Sequence, residues 1–181
     1  MVNESTERLS RRTVTPIRAN VSISLNRGSI IRGMFRKNNE ISPQPERERS
    51  LDRAGRSLLH HAAGEHDVNH VKELIRQGED VNLADRQGWT PLHFAAQSYD
   101  AEMADLLLDS GALVDPRDSY GNTPLSTAVF NSRGRGELIG LLRKRGANPT
   151  SKNNSGVSPT SLARTIANYN VALFFLDVEE E

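Results

Sequence analysis

The sequence predicts an all-α solenoid of four tandem helix-turn-helix repeats with hairpin-like connecting loops, preceded by a largely disordered N-terminal tail. Three observations lead there. The block Gly88-Trp89-Thr90-Pro91-Leu92-His93-Phe94-Ala95-Ala96 returns, with substitutions, at 55–63, 121–129 and 156–164. Its leading glycines keep time: Gly55, Gly88 and Gly121 are 33 residues apart, and Gly156 follows after 35. A second set, Gly78, Gly111 and Gly146, shows the same 33 and then 35, so both rulers place a two-residue insertion between Gly121 and Gly146. Units of this period are too short to bury a core alone and stack to share one.

Each position in the block has a physical task. Thr90 can cap a helix N-terminus with its hydroxyl, and Pro91 fits the first helical position, where an N–H has no partner anyway. Leu92 supplies a buried knob, and Ala95 and Ala96 let a second helix approach closely. Gly88 supplies the backbone freedom of the tight turn before the cap.

Residues 1–50 read as a basic, mostly disordered tail and linker, and residues 51–181 as the repeat domain, with repeats at about 52–84, 85–117, 118–152 and 153–181. Residues 1–20 are rich in Ser, Thr, Asn and Arg and cannot bury enough surface to offset ordering entropy. Val21, Ile23 and Leu25 then alternate with polar residues, the period of a half-buried strand, and Ile30, Ile31, Met34 and Phe35 form an apolar cluster. That stretch is a docking motif, a sticky segment in a flexible tail, or a strand resting on the first repeat. Pro43 and Pro45 among alternating Glu and Arg mark a linker.

The first repeat has Ser57 and Leu58 for Thr and Pro, and keeps Leu59, His60, Ala62 and Ala63. Val68, Val71, Leu74 and Ile75 follow at helical spacing, and Gly78 is a C-terminal stop. In the second repeat Met103, Leu106 and Leu107 face inward, Asp105 and Asp109 outward. The third keeps Thr123-Pro124-Leu125 but has Ser126 in place of the histidine; its second helix carries Leu138, Ile139, Leu141 and Leu142. The two extra residues fall at 131–136, where a longer loop adds little closure entropy. The fourth repeat has Ser158-Pro159, but Thr160 stands where leucine is expected and Arg164 where the second alanine is. Val171, Leu173, Phe174 and Leu176 predict an apolar second helix. An altered last repeat suits a solenoid end that meets water.

These residues resemble the ankyrin repeat, whose signature includes T-P-L-H-x-A-A, a later leucine-rich helix, then G-A-x-V-N and D-x-x-G; the resemblance covers about residues 52–176. The ending from Ser161-Leu162-Ala163-Arg164 to Phe175 is also similar to small bacterial ankyrin-repeat proteins often encoded beside polymorphic toxins. The resemblance implies a non-catalytic protein-interaction module, with a cognate toxin or enzyme as the sharper expectation for its partner and a host-directed or scaffolding adaptor as the broader one.

Bulk composition limits the alternatives. With 36% hydrophobic and 25% charged residues over 181, the chain suits one soluble domain with a tail. It has no apolar run of eighteen and no secretory-type apolar core near the N-terminus, so a cytoplasmic protein without a membrane span is expected, monomeric when free. Zero cysteines exclude disulfides and thiolate metal sites. Residues 1–50 hold ten Arg/Lys against five Asp/Glu, the remainder thirteen against eighteen. Such an arm, with Arg133 and Arg135, offers an alternative nucleic-acid-associated role, yet it has almost no aromatics for base stacking and reads as a solvated tail.

Chemistry is scarce. His60, His61, His66 and His70 lie within eleven residues, and His66 and His70 are i and i+4 on a predicted helix, but neither cysteine nor an H-E-x-x-H glutamate accompanies them. No catalytic residue, metal or cofactor is expected. Asp52, Asp85 and Asp118 each precede a turn glycine by three residues, with Asn153 in the same place, and side-chain capping of the turn accounts for them. As the resemblance implies, partners bind a concave face of hairpin tips and first helices. On this sequence those positions are Arg53, Arg56, Arg86, Gln87, Trp89, Gln97, Ser98, Arg117, Ser119, Tyr120, Asn122, Phe130 and Asn131. Trp89 and Tyr120 either anchor a partner or pad their hairpins against the first helices.

Overall fold

Capping hydroxyls and N1 prolines start the first helices where the sequence places them. The computed structural model describes residues 51–166 and 169–179, all within the unit Ile41–Glu181. The tail and linker at 1–50, with the alternation at 21–25 and the apolar cluster at 30–35, lie outside the described residues. The elements run α1 (Leu58–Gly64), α2 (Val68–Arg76), α3 (Pro91–Ser98), α4 (Ala101–Asp109), α5 (Pro124–Asn131), α6 (Glu137–Lys144), α7 (Pro159–Thr165) and a 3-10 helix (Val171–Phe175). No strand occurs among the described residues.

The first helices α1, α3, α5 and α7 pack side by side, and α2, α4 and α6 flank them. Leu59, Leu92 and Leu125 occupy one repeat position and are fully buried, as are Ala95 and Ala128 between helices. Truncating one such leucine to alanine costs about 2–5 kcal/mol. In the fourth repeat Thr160 takes the leucine's place at 0% exposure, and its hydroxyl donates to the Pro149 carbonyl at 2.8 Å. The polar substitution is therefore satisfied internally.

The turns behave as the aspartates foretell. Asp85 Oδ1 accepts from the N–H groups of Gln87 and Trp89 at 2.8 and 2.9 Å. Asp118 does the same for Tyr120 and Asn122, and Asn153 for Ser155 and Val157. Adjacent hairpins are stitched by backbone bonds: Arg86 N–H to Ala54 carbonyl (2.9 Å), Ser119 to Gln87 (2.8 Å), Asn154 to Tyr120 (2.9 Å). This closeness is why Gly88 is needed twice over. Its φ is +81°, and a Cβ there would stand 3.0 Å from the Asp118 Cα.

The two inserted residues fall in the α5–α6 loop, which spans 132–136 and contains Arg133 and Gly134 at positive φ. The fourth repeat corrects one expectation. Its second helix is a five-residue 3-10 helix in which Val171 and Phe175 are buried, while Leu173 and Leu176 are 55% and 78% exposed. No later element among the described residues covers an outer apolar face, so only the inward side chains are buried. Arg143 holds this segment on α6 by donating to the Phe174 carbonyl at 2.5 Å and to Asp177.

Candidate functional site

Hairpins and first helices enclose a groove of about 520 Å³ between the second and fourth repeats. Five of the expected partner residues meet there: Trp89, Gln97, Asn122, Phe130 and Asn131. The fold explains the grouping. Gln97 and Phe130 hold the same repeat position near the ends of α3 and α5, and Trp89 and Asn122 each follow a turn glycine.

The remaining expected residues lie elsewhere, several of them engaged between repeats. Arg56 is half-buried; its Nε meets Asp85 Oδ2 at 3.2 Å and its guanidinium lies 5.0 Å from the Phe94 ring centroid. Arg117 donates to the Lys152 carbonyl at 2.6 Å and to the Ser151 hydroxyl. Ser98 donates its hydroxyl back into α3, to Phe94 and Ala95 carbonyls. Arg86, Gln87 and Ser119 use their backbones in the hairpin stitches. Arg53 is exposed at the first turn, and Tyr120, 66% exposed, stands outside the groove lining.

Trp89 is half-buried and packs inward. Its ring stacks on His93 at 5.7 Å between centroids and meets Phe94 edge-on at 5.4 Å. His93 in turn accepts the Thr90 N–H on Nδ1 (3.2 Å), so Nε2 carries the proton and faces the Asn122 carbonyl at 3.4 Å. His60 repeats the arrangement, with Ser57 N–H on Nδ1 (3.0 Å) and the Trp89 carbonyl at Nε2 (3.1 Å). Burial pushes both imidazoles below their ordinary pKa, favouring the neutral form that these bonds require. The histidines fasten one repeat to the next.

Other histidines also acquire local roles. His66 is not helical: it has φ +64°, precedes α2, and meets the Asp100 carboxylate through Nδ1. The expected i, i+4 pair with His70 on one helix therefore does not form. Asp100 holds the His66 pKa above its ordinary value. Among the described residues no three His, Asp or Glu side chains converge as metal ligands.

Sequence reasoning missed the fourth repeat's contribution. Asn153, Ser155, Val157 and Leu162 come from it, and Asp118, Ser126 and Thr127 of the third repeat complete the groove lining. A register signal was available: Val157 holds the position of Trp89 and Asn122, and Leu162 that of Phe94 and Thr127. Reading the repeat as an end cap hid it.

The groove is close to electrically neutral. Asp118 is its one ionisable lining group. That carboxylate is 8% exposed, with Oδ1 on two backbone N–H groups and Oδ2 on the Asn122 amide at 3.2 Å. Phe130, by contrast, is 73% exposed and Val157 37%. Arg135, one of the cations considered for nucleic acid, lies with its guanidinium 4.1 Å from the Tyr99 ring centroid. The arrangement offers apolar contact and amide hydrogen bonding.

The family model for ankyrin repeats in three copies matches residues 39–153. A search of curated proteins finds no match. The structure adds α7 and the 3-10 helix beyond the matched residues. With the stitched hairpins, the histidine ties and a family match over more than half its length, the chain belongs to the ankyrin-repeat family.

Proposed function

We propose that this chain is a non-catalytic protein-binding module whose partner seats in the groove over Phe130 and Val157. Ankyrin repeats are in general protein–protein interaction modules and typically non-catalytic. The observation that carries the reading here is Phe130: a large aromatic, 73% exposed, inside a groove whose other faces are already built. Exposed aromatics bordered by polar groups mark interaction sites. Gln97 and Asn131 flank it, and Tyr120 with Arg53 and Arg86 extends the surface along the hairpin tips.

Within this reading the partner is a cognate toxin or enzyme that the chain occupies as an immunity or regulatory protein, as its similarity to small bacterial ankyrin-repeat proteins implies. The chain acts as a cytoplasmic monomer. The repeat domain begins near residue 51, and partner capture does not need the basic residues 1–50.

The test compares wild type with Phe130→Asp/Val157→Asp in affinity capture from the native host, with thermal unfolding measured on both. A protein retained by wild type and lost by an equally stable double variant supports the reading. Equal retention by both would refute it. A further variant lacking residues 1–40 should retain the partner.

A further inference from the structure

From the groove chemistry we infer that it selects one uncharged, branched-aliphatic or aromatic side chain carried on an extended protein segment, and rejects a carboxylate at that point. This rests on the groove being the partner site. The apolar surface comes from four places: Trp89 after the second turn, Phe130 on α5, Leu162 on α7 and Val157 after the fourth turn. They lie in a space whose volume is in the range of small-ligand pockets, about 300–1,000 Å³.

The polar lining divides into used and unused groups. Asn153 donates through Nδ2 to Asn122 Oδ1 at 2.8 Å, and Asn122 donates to Asp118, so these amides are engaged with one another. Asn131 donates Nδ2 to the Thr127 carbonyl at 2.9 Å, leaving Oδ1 without a partner within the described residues. The Gln97 side chain is exposed and makes no bond within them. One free acceptor and one free amide suit the N–H and C=O of a passing backbone. They cannot compensate a buried charge.

Charge complementarity fixes the side chain. No cation lines the groove to receive a carboxylate, and Asp118 beneath it would repel one. A lysine gains little, because Asp118 is only 8% exposed and three of its acceptor sites are taken, so an ammonium must shed its hydration for one remaining site on Oδ2. An apolar side chain loses no hydration it needs and covers Phe130 and Val157.

The test uses the full chain, 15N-labelled, titrated with three probes: N-acetyl-leucinamide, N-acetyl-glutamic acid α-amide and N-acetyl-lysinamide. The leucine probe should shift the amides of Asn131 and Val157 and the Gln97 side-chain amide, saturating in the millimolar range. The two charged probes should bind at least about tenfold more weakly. Phe130→Ala should weaken the leucine probe severalfold, and Phe130→Leu should restore most of it. Equal binding of all three probes, shifts centred elsewhere, or no shift with any probe would overturn the inference. A partner captured in a Phe130-dependent way despite such a result would leave the proposed function standing and remove only this side-chain preference.

Discussion

The two ends of the first helices are fastened by different means. At the hairpin end the same bonds recur from repeat to repeat: a turn carboxylate or amide on two N–H groups, a backbone stitch to the next hairpin, and a histidine tie at two of the three junctions. At the other end, where loops join paired helices, each junction is unique. His66 meets Asp100; the Tyr99 hydroxyl donates to the Arg135 carbonyl at 2.5 Å; Tyr169 and Phe174 press on Gly134 and Gly136. Backbone ties need only a turn geometry, so any D-x-x-G copy reproduces them. Side-chain ties need two particular residues about 34 positions apart and carry no period.

The largest difference should appear when a methyl is added to each end. Gly88→Ala combines a φ of +81° with a backbone neighbour 3.0 Å away that cannot swing aside. It should destabilise by about 3 kcal/mol, at the upper end for strained backbone. Gly134→Ala has a similar φ of +85°, but its neighbour is the ring of Tyr169, whose side chain can rotate. About 1 kcal/mol is expected there. Denaturant melts on the two variants measure the gap, and equal losses would mean that both ends are equally rigid.

Trp89 and Tyr120 sharpen the contrast between a residue inside the hairpin ties and one outside them. Trp89→Ala removes two aromatic contacts, with His93 and Phe94, at 5.7 and 5.4 Å. It should destabilise by about 2 kcal/mol, since each such pair contributes about 0.5–1.5 kcal/mol beyond area burial. Tyr120→Ala, at a side chain 66% exposed, should fall within about 0.5 kcal/mol of wild type. Thermal unfolding separates them. Partner affinity, corrected for the unfolded fraction, should depend on Phe130 more than on Trp89.

Tyr99→Phe probes the loop end directly. The hydroxyl donates to the Arg135 carbonyl in the loop that carries the insertion, and the ring underlies the Arg135 guanidinium. Keeping the ring and removing the oxygen should cost about 1 kcal/mol, the net worth of one hydrogen bond. Native-state hydrogen exchange should rise first in 132–136, and an unaltered loop would mean that the ring contact alone holds it.

What the sequence disclosed follows the same division. The glycine rulers located the turns, helix starts, insertion and aspartate caps, because those depend on residues within a few positions of each other. Groove membership was legible for Trp89, Gln97, Asn122, Phe130 and Asn131 through repeat position. It was missed for Val157 and Leu162, since Thr160 and Arg164 made that repeat look like a cap alone. The Arg56–Asp85 and His66–Asp100 pairs were illegible: each joins side chains from neighbouring repeats whose separation no local pattern announces. The 3-10 ending was likewise hidden, because apolar spacing cannot tell a buried outer face from one that nothing covers.

The smallest effect expected is one of slope, and it sets the two ends against each other in sign. At the hairpin end burial depresses the pKa values of His60 and His93 below the ordinary 6.5. The unfolded chain therefore takes up protons first as pH falls. Their contribution is fully present above about pH 6.5 and is lost as pH falls through the lower folded values. At the loop end Asp100, with Glu102 adding to it, raises the His66 pKa above 6.5. Its contribution is present below pH 6.5 and is lost as pH rises through the raised folded value. Acid should thus weaken one end while strengthening the other, and wild type shows the difference. His66→Asn keeps the left-handed backbone, which asparagine tolerates, and removes the charge. Its melting temperature should match wild type near pH 9, fall below it as pH drops to about 6.5, and keep a constant gap from there to pH 5. His93→Ser, which copies the residue at the equivalent Ser126, should lower stability at pH 9 and flatten the acid slope. Melting curves from pH 9 to 5 decide both, and a His66→Asn curve parallel to wild type between pH 9 and 6.5 would mean that the His66–Asp100 pair contributes nothing in solution.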